Sequence, residues 1–278
     1  MNRLSPERRV AVIRCLVEGN SIRSTVRITG VAKNTVTKLL VDLGRACSEY
    51  QDKTLRDLAC ERVQCDEIWS FVGCKDKNVP EERRGEMGIG DVWTWTALDP
   101  DTKLMLAWWV GKRDVDSAYE FMTDVAARLK SRVQLTTDGH RAYLNAVRDV
   151  FGAEIDYAML VKIYGIDQQG QGQRTYSPTA CIGAKKVKIV GSPNVDHVST
   201  SFVERSNLTM RMNMRRFTRL TNAFSKKLEN HACAIALHFM YYNFSRVHQT
   251  LKTSPAVAAG IADHVWSIEE IVNLLDSN

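Results

Sequence analysis

Three carboxylates stand where an acid does chemistry. Asp66 interrupts the apolar and aromatic run 63–72, and Asp138 closes the run 133–138 just before Gly139. Glu204 is the single acid among seven basic residues between positions 203 and 227. An acid in a half-buried strand costs free energy unless it is paired or metal-bound. Acids at strand ends are a standard way to build a site for a hard cation. Two Mg²⁺ ions ~4 Å apart, bridged by such acids, activate the attacking oxygen of a phosphodiester displacement and stabilise the leaving one. Any one Asp is more often a cap or a surface ion pair; the settings of all three together favour a site. Glu67 is set aside because strand alternation sends it to the face opposite Asp66. Glu154 is a rival third acid without basic surroundings.

On an ideal helix Glu204, Leu208, Arg211, Arg215 and Arg219 step by three or four residues and share one face. A carboxylate beside a row of arginines suits a site that holds a phosphate backbone next to metal ions. Intramolecular ion pairs are the competing use of these arginines, but few acids lie near them in sequence. Arg216, Lys226 and Lys227 extend the island, and a long helix is expected from Ser201 past Met214.

Net charge is +6. Residues 1–60 hold eleven bases and six acids, and 203–227 hold seven bases and one acid, so the remainder is net acidic. Two basic islands in an acidic chain point to a polyanion touched in two places. In the first island Ser5-Pro6-Glu7 opens a helix, and Val10, Ile13, Leu16 and Val17 recur at helical spacing up to Gly19. Ser21 caps a second helix that stops at Gly30. A third begins near Lys33 with a small, polar and basic first turn. That is the composition of a recognition helix meeting base edges and phosphates in a major groove. Lys33, Asn34, Thr35, Thr37 and Lys38 are the candidate DNA contacts; a plain three-helix bundle is the alternative.

The elements that must position the acids read as one α/β domain: strands at 63–72, 92–98 and 104–110, a helix capped at Asp116 and Ser117 running to about 130, a strand at 133–138 and a helix at 141–151. This β-β-β-α-β-α order fits a mixed sheet with helices on its faces. A strand near Ile155 is followed by an insertion, and helices are expected at about 222–244 and in the C-terminal stretch. Trp69, His140 and His248 are read as packing residues ahead of site residues.

Seven cysteines without a C-x-x-C pair argue against a disulfide framework and a zinc ribbon, and no run approaches the ~18 apolar residues of a membrane span. A reducing cytoplasm without membrane contact is the expected setting.

Three stretches resemble, in order, the transposases of bacterial insertion sequences, the DDE class with an RNase H-like catalytic domain. They are Cys65-Asp66-Glu67-Ile68-Trp69-Ser70-Phe71-Val72-Gly73, Thr137-Asp138-Gly139-His140-Arg141-Ala142-Tyr143 and Val203-Glu204-Arg205-Ser206-Asn207. The nearest likeness is to the insertion-sequence-one family, and the tail 242–256 also resembles the region after the catalytic Glu of such enzymes. The resemblance implies that Asp66, Asp138 and Glu204 are the catalytic, metal-binding triad. It implies an RNase H-like mixed sheet flanked by helices, with an N-terminal all-α helix-turn-helix module. The corresponding division is a DNA-binding module at 1–45, a helical connector at 46–62, a catalytic domain at 63–250 with an insertion at about 153–198, and a helical tail at 251–278. Two Mg²⁺ ions are the implied cofactors, with Mn²⁺ also suited to oxygen ligands. The implied partners are double-stranded DNA, as terminal inverted repeats and as target, and further copies in a dimer or larger assembly on paired ends. Metal-activated water would cut the element's end, and the freed 3′-hydroxyl would attack target DNA. Members of the family often carry a zinc-binding finger, for which this chain has no matching cysteines. The 66-residue spacing from Asp138 to Glu204 is long for compact members, and the insertion accounts for it. A non-catalytic DNA-binding regulator or decayed element, and a nuclease or integrase on the same fold, are the alternative functions.

Overall fold

Three N-terminal helices open the chain in a computed structural model that describes residues 4–86, 88–165, 181–218 and 222–276. Helix α1 (Pro6–Val17) starts with Pro at its first turn and buries Val10, Val12, Ile13 and Val17. In α2 (Ile22–Thr29) the Ser21 side chain accepts from the Ser24 amide, and Gly30 ends the helix at φ 65°, the left-handed cap that glycine takes without strain. Helix α3 (Lys33–Thr54) runs 22 residues without a break. The recognition-helix stretch and the expected connector are therefore one continuous rod through position 45.

Among the described residues six strands form one sheet: β1 (Arg62–Val72), β2 (Gly90–Leu98), β3 (Met105–Gly111), β4 (Gln134–Asp138), β5 (Asp156–Tyr164) and β6 (Cys181–Val190). Their order is β3-β2-β1-β4-β5-β6. β1 and β2, β2 and β3, and β5 and β6 pair antiparallel, whereas β1, β4 and β5 run parallel. The parallel pairs need crossovers, and α4 (Val115–Arg128) and α5 (Ala142–Phe151) supply them. This is the expected mixed α/β architecture, an RNase H-like sheet flanked by helices. The cap of α4 is Asp114, whose carboxylate accepts from the Ser117 amide at 2.9 Å, two residues before the expected position.

Helices α4 and α5 cover one face, where Trp95 is fully buried against Phe121 and Tyr143. Helix α6 (Ser201–Asn213) crosses the other face over β1 and β2. It stops at Asn213, with Met214 extended at ψ 103°, so the long helix expected past Met214 is broken before Arg215. Helix α7 (Leu228–Met240), closed by a wide turn at Tyr241–Ser245, packs on α3. Gly44 makes that approach possible: a Cβ there would lie 2.5 Å from both Cβ and the carbonyl oxygen of Cys233. One continuous core thus joins Val36 and Leu43 of α3 to Leu237 and Phe239 of α7 and to the sheet. Helices α8 (Pro255–Ala258) and α9 (Ile268–Asn273) form the tail, which folds back on α1 with an Arg14–Glu269 ion pair from α9 and an Arg9–Asp276 pair just after it. The expected insertion is, in its described part, the β5–β6 ribbon; the glutamine-rich stretch 168–173 lies outside the described residues. No helix among the described residues is long and apolar enough to cross a membrane.

Candidate active site

The pairing register places the first two acids. Cys65 of β1 pairs with Thr137 of β4, so Asp66 and Asp138 follow side by side on parallel strands and leave the same face. Asp66 also pairs with Thr96 of β2 on that face. Helix α6 covers it, and the Asn207 amide donates to Asp66 Oδ2 at 2.8 Å while Asn207 Oδ1 accepts from Thr96 at 3.4 Å. Asn207 lies three residues after Glu204, on the same side of the helix. Asp138 Oδ1 accepts from the His140 backbone amide at 2.9 Å as the chain turns off β4.

Glu67 does point to the other face, beneath α5, yet it joins the cluster. One carboxylate oxygen from each of Asp66, Glu67 and Asp138 lies within 4.8 Å of the other two. The strand β4 ends at Asp138, which leaves the β1 edge without a β4 partner beside Glu67. Arg113, after β3, is the cation that answers this charge. It lies 3.2 Å from Glu67 and 3.7 Å from Asp138, with its guanidinium 4.8 Å from the Trp93 ring centre. Burial first, then the Asp138 charge, pushes Glu67 up to about 8 and Asp66 up to about 6. Glu67 Oε1 is buried beside the Tyr143 hydroxyl, and neither atom has a well-formed hydrogen bond. Three crowded carboxylates, two of them raised by burial and by the Asp138 charge, form a donor set that fits a hard divalent cation. Asp66, Glu67 and Asp138 are the residues that could hold it.

Glu204 is outside that cluster. Its carboxylate accepts from Lys162 of β5 at 2.6 Å and from the Thr200 hydroxyl, although it is near enough for its charge to act on Asp66. Glu154 sits beyond the opposite end of the parallel strands, since Gln134 pairs with Asp156 there and Asp138 with Leu160 here.

No protein-family model matches this chain, and no curated protein does. Among solved structures, the Mos1 mariner paired-end complex with Mn is 10% identical over 56% of this chain and 59% of that one, at a TM-score of 0.23. The Mos1 transposase paired-end complex with left transposon end is 12% identical, covers 56% of this chain and 60% of that one, and scores 0.23. The Mos1 strand transfer complex is 11% identical, covers 85% and 78%, and scores 0.25. The chain thus spans about three-fifths of the length of the first two. At such scores fold and site rest on the chain's own geometry.

The helix-turn-helix candidates are exposed at the start of α3: Lys33, Asn34, Thr35 and Lys38 face solvent, and Thr37 is half-buried. Ala32 precedes the helix and gives it no side-chain cap, so the first amides face outward, where the helix dipole favours an anion. The second island is divided. Arg215, Lys226 and Lys227 are exposed, Arg211 is half-buried on α6, and Arg219 lies outside the described residues. Arg216 turns inward and donates to Ser225 Oγ at 2.8 Å. The break after Asn213 is the reason the arginines do not continue as one helical row. His140 packs against Trp95 and edge-on to Tyr143, close enough to Asp138 and Arg113 for their charges to act on its ring, while Trp69 packs near Phe71 and His248 bonds to Thr250.

Asn207, Arg113, Lys162 and Thr200 also line the site, beyond the residues expected from sequence. Asn207 had a signal in its spacing from Glu204. Thr200 stands one helical turn before Glu204, whereas Arg113 and Lys162 had no such signal, because only the assembled sheet brings them in.

Proposed function

We propose that the protein is a DDE-type DNA transposase that cuts the ends of an insertion sequence and joins them to target DNA. The observation that carries this reading is the placement of Asp66 and Asp138 on one face of the sheet beneath the helix that bears Glu204 and Asn207. Asp66, Asp138 and Glu204 are the catalytic and metal-binding acids, and Glu67 is an additional oxygen donor at the same cluster. A divalent cation held there, Mg²⁺ or Mn²⁺, supplies Lewis acidity to the phosphodiester and lowers the pKa of a bound water.

The chain's own residues do the positioning. Asn207 fixes the orientation of Asp66, and the His140 amide fixes that of Asp138. Arg113, anchored by Glu67 and Trp93, offers its guanidinium to phosphate oxygens beside Asp138. Lys33, Asn34, Thr35, Thr37 and Lys38 read the terminal repeats, and Arg211, Arg215, Lys226 and Lys227 meet the backbone. Arg219 belongs to the same basic stretch. Two copies would hold paired ends.

The test uses labelled duplexes carrying the sequences that flank the gene. End-specific joined products support a transposase. Cleavage without end specificity or joining supports the nuclease alternative. Tight end binding without chemistry supports a DNA-binding regulator.

A further inference from the structure

The β5–β6 ribbon carries a one-sided pattern of positive charge. From Tyr157 to Val195 the described residues include Lys162, Lys185, Lys186 and Lys188 and no acid. Register sorts these lysines by face. Leu160 pairs with Asp138 on one side and with Lys186 on the other, so those three residues share the Asp66 face. Lys162 and Lys188 stand two residues from Leu160 and Lys186 along their strands and share it too. Lys185 pairs with Val161 on the reverse face. One face of the sheet therefore runs from the carboxylates to a row of lysines. Lys186 and Lys188 are exposed, and β6 is the edge strand.

Lys162 joins the two halves of this face. Its ammonium is 2.6 Å from Glu204 Oε1, with the two side chains 30% and 36% exposed. In this state Glu204 is satisfied by a lysine and a threonine and lies outside the acid cluster. The pair is half-buried but open to solvent, so it is worth only about 1 kcal/mol and a competing phosphate can take the lysine at small cost. A phosphate backbone lying along Lys186 and Lys188 would present its oxygens next to Lys162.

We infer that the β5–β6 ribbon docks the phosphate backbone of duplex DNA on the Asp66 face, and that Lys162 couples this docking to the metal site by exchanging Glu204 for phosphate. Glu204, once released, becomes available to the cation held by Asp66 and Asp138. Metal affinity then depends on DNA, and the site is incomplete until DNA is seated. The inference rests on the metal-dependent reading of Asp66 and Asp138.

The experiment measures Mn²⁺ binding to the full chain by calorimetry at constant ionic strength, with and without a saturating non-cognate duplex. Asp66→Asn sets the background. Wild type should bind Mn²⁺ about tenfold more tightly with DNA, within the usual range of coupled sites, and Mn²⁺ should tighten DNA by the same factor. Lys162→Gln should reach the tighter Mn²⁺ affinity without DNA and gain nothing from it. In separate DNA titrations against salt, Lys186→Gln and Lys188→Gln should each lower the log–log slope by about 0.9, the value per phosphate contact. Lys185→Gln, on the reverse face, should not. Equal Mn²⁺ affinities for wild type and Lys162→Gln, unaltered by DNA, would overturn the coupling while leaving the carboxylate site standing. A Lys185→Gln effect equal to that of Lys188→Gln would overturn the docking face. Wild-type binding no better than Asp66→Asn would overturn the metal reading and the inference together.

Discussion

The Asn207 side-chain amide donates a 2.8 Å hydrogen bond to Asp66 Oδ2. The helix bearing Glu204 and the strand bearing Asp66 are thereby tied at the site itself. Asn207→Ala should lower Mn²⁺ affinity or DNA cleavage by about 10–100-fold, the usual cost of removing a partner that orients a metal ligand. The urea midpoint is the control. A loss of stability with an unchanged Mn²⁺ affinity in the folded protein would give Asn207 a structural role only.

Gly44 lets α3 and α7 touch. Alanine is favoured over glycine in a helix by ~1 kcal/mol. Here its Cβ would stand 2.5 Å from the Cys233 carbonyl oxygen, a backbone atom that moves only with its helix. Overpacking costs ~1–3 kcal/mol and should win, so Gly44→Ala is expected to destabilise by about 1 kcal/mol in urea unfolding. Stabilisation would show that the two helices separate readily.

Arg215 and Arg216 are neighbours with opposite expected effects. Arg215 is exposed, and Arg215→Gln should lower the salt slope of DNA binding by about 0.9 without altering stability. Arg216 donates to Ser225, so Arg216→Gln should lower the urea midpoint and leave the salt slope unchanged. Parallel effects of the two variants would contradict this division.

His231 fixes one hydrogen-bond direction. Ser70 Oγ donates to the Val92 carbonyl at 3.1 Å, so it accepts from His231 Nε2 at 3.0 Å. His231 Nδ1 accepts from Ser225 at 2.9 Å, which leaves that hydroxyl oxygen to accept from Arg216. Burial first, then the Arg216 charge, pushes His231 down to about 3. The unfolded ring takes its proton near ~6.5. Below that pH the unfolded state binds more protons than the folded state, so this contribution to stability, complete above pH ~6.5, is lost as pH falls toward 3. Asp66 and Glu67, raised above their ordinary values, act in the opposite direction. Comparison of wild type with His231→Asn cancels them. Wild type should lose ~1.4 kcal/mol more per pH unit than the variant between pH 6 and 4. Equal slopes in urea unfolding would mean that the ring is protonated in the folded state.

The strands were readable because the runs around Asp66 and Asp138 combine β-branched and aromatic residues with turn residues at their ends. The central strands fall within two residues of the expected positions. The first two helices were readable from Ser5-Pro6, Ser21 and Gly30. The continuity of α3 was half legible, since no proline interrupts 33–54; what spacing does not show is that Gly44 seats this rod against α7. The end of α6 at Asn213 was hidden for the opposite reason: helical spacing continues through Arg215 and Arg219, but the backbone turns so that Met214 and Phe217 reach the core. Alternation correctly sent Glu67 to the far face, yet could not show that β4 ends early enough for three carboxylates to meet. Lys162 and Arg113 come from remote strands, which one-dimensional spacing does not join.

The most direct test of the central claim is single-turnover strand cleavage on labelled end DNA with Mg²⁺, with wild type run beside Asp138→Asn. Metal-dependent cleavage by wild type, reduced at least ~10³-fold in a variant that still binds the DNA, is the predicted result; a loss of that size is ~4 kcal/mol of transition-state stabilisation. Cleavage that persists in Asp138→Asn, or that proceeds equally without a divalent cation, would contradict it.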